Sequence, residues 1–325
     1  MFNAVVVRKS ASNVSYKVEN VDESHLSKGD VLVKVVYSSI NYKDMLALQY
    51  KGGVIRDYPM IPGIDFAGIV ESSSNDKFKE GDNVLVTGYD VGVTHTGGFS
   101  EYAQVPGEWI VPIPQEMSIK ESMVYGTAGF TAALSIFELE KYGMNIKSQP
   151  EILVSGATGG VGSVAIQILR KIGYENITAI VRKEKQIEIA KKLGAKQAII
   201  IENDNKPLKK GVFDYFLDTV GSNVTLYGLK RLNYQGVATV CGNVAGNSLN
   251  TNILPFILRG IKLIGIDSVY DHIDHNIRED IWSKLANEWN IGNSLLYNEI
   301  GFEEFYKTID QLLKGQHLGR TILKV

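Results

Sequence analysis

Cysteine and unbalanced charge are both scarce in this sequence. Its 325 residues include one cysteine, Cys241, so no disulfide can form within the chain and no zinc site of four cysteines can be assembled. Lysine and arginine number 34 and aspartate and glutamate 36, which gives a formal net charge of -2 at pH 7. Nucleic acids and anionic membrane surfaces bind extended positive charge. We therefore expect a small-molecule partner, with no nucleic acid and no membrane.

Long hydrophobic runs are absent as well. The apolar stretch in residues 1–10 is too short for a secretory signal. The most apolar late stretch, residues 253–266, contains Arg259 and Lys262 and falls short of the roughly 20 residues of a membrane-spanning helix. The low cysteine content also suits a reducing compartment. The sequence therefore predicts a cytoplasmic protein.

Short strands dominate the first third of the chain. Runs of β-branched and aromatic residues are separated there by turns rich in Gly, Asp and Pro, which favours a β domain over alternating β/α units. The strands are predicted over residues 2–8, 14–18, 30–39, 64–71, 83–87 and 99–105. This spacing is typical of a compact, barrel-like β domain.

Helices and strands alternate after Ser118. The segment Ser118-Ile119-Lys120-Glu121 has the form of a capping box and opens a helical region that continues to Lys141. Further strands are predicted over residues 151–155, 176–181, 197–201, 213–220 and 236–240, with helices over residues 160–172 and 185–193. The alternation predicts an α/β fold with a doubly wound parallel sheet, and residues 261–266 form its edge strand.

The last part of the chain is predicted to leave this sheet. Two helical stretches, residues 277–289 and 302–313, are followed by a strand over residues 321–325. We expect this tail to pack against the β-rich domain. That domain is then discontinuous, comprising residues 1–121 and 269–325, and the parallel-sheet domain, residues 122–268, is inserted in it.

A glycine-rich loop follows the first strand of the parallel sheet. Ala157, Gly159 and Gly162 occupy the positions of a G-x-G-x-x-G dinucleotide motif, between an apolar strand and an amphipathic helix. Glycine lets the backbone approach a pyrophosphate, and the start of the helix offers free N–H groups to it. The predicted cofactor-binding residues of this loop are Ala157, Thr158, Gly159, Gly160, Val161 and Gly162.

The end of the second strand of this sheet favours NADPH. Sites for NADH carry an acidic residue about 20 positions beyond the glycines, which accepts bonds from the ribose hydroxyl. Here Arg182 and Lys183 stand at that place, and a cation can bind the extra 2'-phosphate of NADPH. Glu184, the next residue, leaves NADH as the alternative.

Several motifs, taken together, resemble those of zinc-free quinone oxidoreductases of the medium-chain dehydrogenase/reductase superfamily. They lie in residues 41–44, 61–68, 97–99, 126–132 and 157–162. Where zinc enzymes of that superfamily have Gly-His-Glu, this chain has Gly63-Ile64-Asp65. The segments at residues 255–259, 265–269 and 319–321 are similar to the YhdH/YhfP branch, whose characterised activity is acrylyl-CoA reduction.

This resemblance implies a GroES-like catalytic domain beside a Rossmann domain, a cleft between them, and a homodimer. It also implies that the cofactor is lined by Tyr42, the 158–161 part of the glycine-rich loop, Arg182, Lys183, Asn243, Ser268 and Arg320. In one place the chain departs from its relatives. Residues 198–201 are apolar where relatives carry an arginine that contacts the cofactor.

The hypothesis for function is NADPH-dependent transfer of hydride to an activated alkene, such as the enoyl-CoA thioester acrylyl-CoA. A quinone is the alternative acceptor, and a non-catalytic, crystallin-like NADPH-binding protein is the alternative of another class. Asn41 and Tyr42 are the predicted catalytic residues facing the nicotinamide, and Tyr42 either donates a proton or orients the ring. No metal site is predicted, since the two histidines of residues 271–275 lie in a polar connection without an evident further ligand.

Overall fold

The computed structural model describes residues 1–202, 206–270 and 272–325. These residues form two compact units. The first comprises Met1–Thr127, Val269–Ala286 and Leu296–Val325, and the second comprises Ala128–Ser268 and Asn287–Leu295. The domain boundaries given above, with breaks after residues 121 and 268, stay a prediction.

Antiparallel strands make up most of the first unit. A hairpin of β1 and β2 stands beside a larger sheet, and a short helix, α1, follows β3 directly. The elements up to the start of the second unit are β1 (Phe2–Lys9), β2 (Val14–Val21), β3 (Val31–Ser39), α1 (Tyr42–Ala47), β4 (Asp65–Ser73), β5 (Asn83–Thr87), β6 (Tyr102–Val105), β7 (Val111–Pro112) and α2 (Ile119–Lys141).

The helix α2 begins with the predicted capping box. The Ser118 hydroxyl accepts from the Glu121 N–H at 3.1 Å, and the Glu121 carboxylate accepts from the Ser118 N–H at 2.9 Å. Helical geometry is interrupted at Gly126, which has φ 50° and ψ -157°. On either side of this interruption, side chains of the first unit bind the Val124 carbonyl and the Thr127 N–H, as described below.

The second unit contains the parallel sheet. Its elements are β8 (Ile152–Val154), α3 (Gly160–Ile172), β9 (Ile177–Val181), α4 (Lys185–Lys192), β10 (Gln197–Ile200), β11 (Phe213–Asp218), α5 (Ser222–Leu229), β12 (Leu232–Val240), α6 (Leu254–Arg259) and β13 (Lys262–Gly265). Within the described residues the six strands are ordered β10-β9-β8-β11-β12-β13, and all pair in parallel. This is the order of a doubly wound dinucleotide-binding sheet.

Burial explains why these segments fold as they do. The three residues of β8 are fully buried apolar side chains, as expected for a central parallel strand covered on both faces. On α3 the side chains of Val164, Ala165, Ile168 and Leu169 are also fully buried, at the three- and four-residue spacing of one helix face. The helix ends where Gly173 adopts a left-handed conformation with φ 112°.

The end of the chain adds the remaining elements: α7 (His275–Ala286), β14 (Tyr297–Ile300), α8 (Phe305–Leu313) and β15 (Arg320–Lys324). The strand β15 pairs with β3 and with β14, so the tail joins the larger sheet of the first unit as expected. In the described part of the chain that sheet has seven strands, ordered β14-β15-β3-β4-β5-β7 with β6 also on β3. The predicted α/β fold class, a β-rich unit with a doubly wound parallel sheet, is confirmed.

Three details differ from the sequence prediction. The strand expected from residue 99 begins at Tyr102, because the N–H groups of residues 97–99 bond the carbonyls of residues 61–63 instead of joining the ladder with β3. The strand β14 and the helix α6 were not predicted, since both are short and lack a clear apolar period. Among the described helices, none has the length and hydropathy needed to cross a bilayer.

Candidate active site

The glycine-rich loop lies at the carboxyl end of β8, where the strand order reverses between β8 and β11. Gly156 has φ 60°, and its carbonyl accepts from the Gly159 N–H at 2.8 Å, which folds the loop into a tight turn. Gly159 is the N-cap of α3, so the first N–H groups of that helix have no helical acceptor. A helix start with free N–H groups is a site for an anion such as a pyrophosphate.

Close packing fixes the identity of Gly162. A Cβ at this position would lie 2.4 Å from the Gly156 carbonyl oxygen and 2.7 Å from the Ser155 carbonyl oxygen. These are backbone atoms that cannot move aside, so only glycine lets α3 sit this close to the loop. At Gly159 the nearest atom to such a Cβ is the Gly156 oxygen at 3.2 Å, so the outer face of the loop is more open.

Two cations stand at the carboxyl end of the neighbouring strand, β9. Arg182 and Lys183 are both exposed. The side chain of Gln186, on the first turn of α4, accepts from the backbone N–H groups of Arg182 at 3.0 Å and Lys183 at 3.1 Å. It also donates to the Thr158 hydroxyl at 2.7 Å. One buried glutamine thus connects the glycine-rich loop with the cationic segment, and sequence reasoning did not identify it.

A second connection missed from the sequence is Asp218, the last residue of β11. Its fully buried carboxylate accepts from the hydroxyls of Ser155, at 2.6 Å, and Thr225, and from the N–H groups of Val220 and Gly221. An acidic residue that ends a buried apolar strand is the available signal. Because four donors surround it, Asp218 shapes the edge rather than offering charge to a ligand.

The remaining predicted cofactor residues of this unit follow β12 and β13. Asn243 is exposed and its carbonyl accepts from the Gly246 N–H at 2.9 Å. Ser268 is buried, and its hydroxyl lies 2.5 Å from that of Thr131. Since the carboxyl ends of parallel strands share one edge, all the predicted cofactor residues of the second unit lie at that edge, which we call the carboxyl edge.

In the first unit, the predicted residues Asn41 and Arg320 belong to one buried cluster. Asp65 is at its centre and is not exposed at all. One carboxylate oxygen, Oδ2, accepts from the Ser39 hydroxyl at 2.6 Å, the Asn41 amide at 2.9 Å and the Thr127 N–H at 2.8 Å. The other, Oδ1, accepts from the Ser39 N–H at 2.8 Å. We call this cluster the Asp65 network; its members are Ser39, Asn41, Asp65, Thr127 and Arg320.

The Arg320 guanidinium is hydrogen-bonded to three protein oxygens. It bonds the Val124 carbonyl at 3.1 Å, the Asn41 amide oxygen at 3.3 Å and the Ser39 hydroxyl at 2.7 Å. Burial lowers the pKa of Arg320, and the negative charges of Asp65 and Asp44 oppose this effect. The broken helix α2 is thus bound on both sides of Gly126, by Arg320 at the Val124 carbonyl and by Asp65 at the Thr127 N–H. The predicted cofactor contact of Arg320 stays a prediction.

The side chains of Tyr42 and Asn41 differ in how accessible they are to a ligand. Both amide atoms of Asn41 are engaged in the Asp65 network, and its backbone N–H bonds Asp44 at 2.8 Å. Tyr42 is the first residue of α1 and remains 36% exposed. Of the two predicted catalytic residues, Tyr42 has the side chain available to a ligand, whereas Asn41 is held by the protein.

Asp44 and His317 are further titratable groups of the first unit. The Asp44 carboxylate accepts from the N–H groups of Asn41 and Ile64, and burial, together with the charge of Asp65, raises its pKa to about 7. The ring of His317 lies 2.8 Å from the Thr321 hydroxyl. Burial and then the positive charge of Arg320 lower the pKa of His317 to about 4.

No cluster of three His, Cys, Asp or Glu side chains suited to a metal occurs among the described residues. Asp271, the first residue of the two-histidine segment, lies outside them, and the ring of His272 packs on Tyr270. Cys241 follows β12, where burial and then the charge of Asp218 raise the pKa of its thiol to about 12. A thiol with a raised pKa is a poor nucleophile at neutral pH.

Comparison with known proteins gives the family of this fold and site. Residues 27–115 match the model of the alcohol dehydrogenase GroES-like domain, and residues 160–287 match that of zinc-binding dehydrogenases. The YhfP protein of Bacillus subtilis, whose name proposes a quinone oxidoreductase, is 40% identical over 100% of this chain and 99% of its own length. The chain belongs to the medium-chain dehydrogenase/reductase family, in its quinone oxidoreductase-like group. It is an oxidoreductase.

Other relatives also match this chain over almost its whole length. The acrylyl-CoA reductase AcuI of Ruegeria pomeroyi is 36% identical over 100% of this chain and 99% of its own length. The crystal structure of Escherichia coli K-12 YhdH with bound NADPH has a TM-score of 0.94 and 39% identity, covering 99% of each chain. That of Bacillus subtilis YhfP with NAD bound has a TM-score of 0.94 and 40% identity, covering 100% of this chain and 99% of that one.

Proposed function

We propose that this oxidoreductase is a zinc-independent reductase that uses NADPH to reduce an activated alkene, an enoyl-CoA thioester such as acrylyl-CoA. The observation that carries the proposal is the pair of exposed cations, Arg182 and Lys183, beside the glycine-rich loop at the carboxyl edge. Relatives of the same length are named acrylyl-CoA reductase or were crystallised with NADPH, which supports the same choice.

The residues at the carboxyl edge fit this cofactor. The N–H groups at the start of α3 would hold its pyrophosphate, and the open face at Gly159 admits it. Arg182 and Lys183 would bind the 2'-phosphate through charge-assisted hydrogen bonds. The bound cofactor supplies the hydride that adds to the β-carbon of the alkene, while a proton adds to the α-carbon.

The chemistry at Gly63-Ile64-Asp65 supports zinc independence. Ile64 has no donor atom for a metal, and it is buried. The carboxylate of Asp65 already accepts four hydrogen bonds from the protein. A metal there would have to displace these donors, so polarisation of the substrate is left to hydrogen-bond donors of the protein.

Tyr42 is the proposed proton donor, because its exposed side chain carries a hydroxyl at the start of α1. Replacing Tyr42 by Phe should lower the turnover number about 100-fold, the lower range for loss of a general acid. Tyr50→Phe is the matched control: Tyr50 is also exposed, at 40%, and its hydroxyl donates to the Ala11 carbonyl at 2.6 Å. Nearly full turnover in Tyr42→Phe would leave Tyr42 a positioning role.

The choice of acceptor is tested by assaying NADPH oxidation with acrylyl-CoA and with a small quinone in parallel. We expect a higher kcat/KM with acrylyl-CoA. The name of YhfP supports the quinone as the second candidate, and faster turnover with the quinone would favour it. Tight NADPH binding without turnover of either acceptor would favour the structural, crystallin-like role.

A homodimer formed through the edge of the parallel sheet is also proposed. β13 is the edge strand of that sheet, and α6, which packs against β12, exposes 66% of Ile257 and 54% of Leu258. Apolar side chains beside an unpaired strand edge favour association. Sedimentation equilibrium should give twice the monomer mass, and a monomer at all concentrations would contradict the proposal.

A further inference from the structure

Gln186 is a buried side chain that hydrogen-bonds both the glycine-rich loop and the cationic segment. It is 9% exposed, and its carboxamide oxygen accepts from two successive backbone N–H groups, those of Arg182 and Lys183. Its amide nitrogen donates to Thr158, whose own side chain is 5% exposed. The carboxamide therefore bonds both segments at once.

A carboxamide is suited to this position because it has an acceptor with two lone pairs and separate donors. A carboxylate would lack the donor for Thr158, and a lysine would lack the acceptor for the two N–H groups. The side chain reaches both segments because α4 begins immediately after β9, with Gln186 in its first turn. Without it, the two backbone N–H groups at the end of β9 would lose their side-chain acceptor.

Fixing these N–H groups fixes the starting points of two long, flexible side chains. Arginine and lysine side chains lose substantial rotamer freedom when they bind a phosphate, so an anchored backbone reduces what remains to be ordered. The ribose and pyrophosphate would contact the Thr158 side of the same bridge. A displacement of about 1 Å in either segment would weaken the 2'-phosphate site more than the rest of the cofactor site.

We propose that Gln186 is a positioning residue that sets the preference for the 2'-phosphorylated coenzyme, a role that rests on the proposed NADPH-dependent function. It acts through Arg182, Lys183 and Thr158 and need not touch the cofactor. Its effect is expected on the ratio of the dissociation constants for NADH and NADPH, and on the KM for NADPH rather than on kcat.

The test is Gln186→Ala, with both dissociation constants measured by titration calorimetry. We expect the preference for NADPH to fall about tenfold, the lower end of the range known for residues that hydrogen-bond and orient metal ligands. NADH should bind nearly as in the wild type. In steady-state assays the KM for NADPH should rise while kcat stays within about twofold, since hydride donor and acceptor are unchanged.

Gln149→Ala is the matched control. The Gln149 side chain also bridges to backbone groups of the same unit, since it accepts from the Glu175 N–H at 3.0 Å and donates to the Gly173 carbonyl at 3.1 Å in the connection before β9. Gln149 precedes β8 and Glu175 precedes β9, so this bridge is at the amino ends of the strands, opposite the carboxyl edge. It should lower stability without changing the coenzyme preference.

The outcomes separate the two proposals. If the wild-type protein binds NADPH no more tightly than NADH, the proposed cofactor specificity is wrong. If the wild type prefers NADPH and Gln186→Ala keeps that preference, the positioning role is wrong while the specificity stands. An equal fall in Gln149→Ala would also overturn the role, because it would show a general effect of destabilising the unit. Urea unfolding of all three proteins checks that each is folded in the titrations.

Discussion

In the first unit, Arg320 is 2% exposed and donates to three protein oxygens, whereas Arg182 and Lys183 in the second unit are exposed at the end of a strand. In the Asp65 network the buried carboxylates of Asp65 and Asp44 act on the guanidinium, while at the carboxyl edge both cations are exposed to solvent. A buried cation maintains the fold, and an exposed cation can bind an anion such as a phosphate.

Replacing Arg320 tests most directly whether a buried cation maintains the fold. Arg320→Met should lower the free energy of unfolding by about 3–5 kcal/mol, because the buried Asp65 carboxylate loses its nearby cation. Urea unfolding measures this loss. Arg8→Met is the control: Arg8 pairs with Glu19 at the surface, and its loss should cost less than about 1 kcal/mol.

Calorimetry of NADPH binding to Arg320→Met tests whether Arg320 also contacts the cofactor. If Arg320 serves the network alone, the folded variant should bind NADPH within about twofold of the wild type, a difference well under 1 kcal/mol. A larger loss of affinity would instead support the cofactor contact that family resemblance implies. A loss of stability no greater than that of Arg8→Met would contradict the inward role of the charge.

His317, beside Arg320, gives the network a dependence on pH. Its pKa is lowered from 6.5 to about 4 in the folded state, so the unfolded chain takes up the proton first as the pH falls. The contribution is therefore present above pH 6.5 and is lost as the pH falls toward 4. On acidification the wild type should lose about 2 kcal/mol more unfolding free energy than His317→Gln, a value that allows for the partial exposure of His317.

Asp44 has the opposite pH dependence of stability and serves as the control for His317→Gln. A raised pKa, from 3.8 to about 7, means that Asp44 contributes stability below pH 3.8 that is lost as the pH rises through 7. This dependence is present in both proteins and cancels when the variant is compared with the wild type at each pH. Equal acid losses in the two proteins would show that His317 titrates alike in the folded and unfolded chain.

Replacing two glycines at the carboxyl edge distinguishes their effects on packing from their effects on ligand binding. Gly162→Ala places a methyl 2.4 Å from the Gly156 carbonyl oxygen and should cost about 1–3 kcal/mol of stability. Gly159→Ala, with 3.2 Å to the same atom, should cost less stability. It should still weaken NADPH binding, since it adds a methyl at the N-cap residue, next to the first N–H groups of α3. Similar unfolding curves for the two variants would contradict this distinction.

Much of the second unit could be predicted from local sequence. The glycine-rich loop, the cations after β9 and the alternation of strands with helices depend on residues close together in the chain, so pattern and spacing contain the information. Gln186 was missed because its partners Arg182, Lys183 and Thr158 lie four, three and 28 positions away, and a glutamine near a helix start carries no distinctive signal. Asp218 was missed although it ends a buried apolar strand, because its hydroxyl partners Ser155 and Thr225 lie 63 and seven positions away.

The Asp65 network could not be assembled from sequence, because its contacts are distant in the chain. Arg320 and Ser39 are 281 positions apart, and Asp65 and Thr127 are 62 apart. The motifs placed Asn41, Asp65 and Arg320 in family patterns, but gave no sign that they bond one another. That Asn41 faces the nicotinamide stays a prediction; in the structure both of its amide atoms are held by the network.

The most direct measurement is the calorimetric preference for NADPH over NADH in the wild type and in the double variant Arg182→Ala/Lys183→Ala. Outward-facing cations should give the wild type a clear preference for NADPH, and the double variant should lose at least about tenfold of it, as expected when charge-assisted hydrogen bonds to a phosphate are removed. Affinity for NADH should be nearly unchanged. Equal preference in the two proteins would contradict the assignment of this cationic segment to the 2'-phosphate.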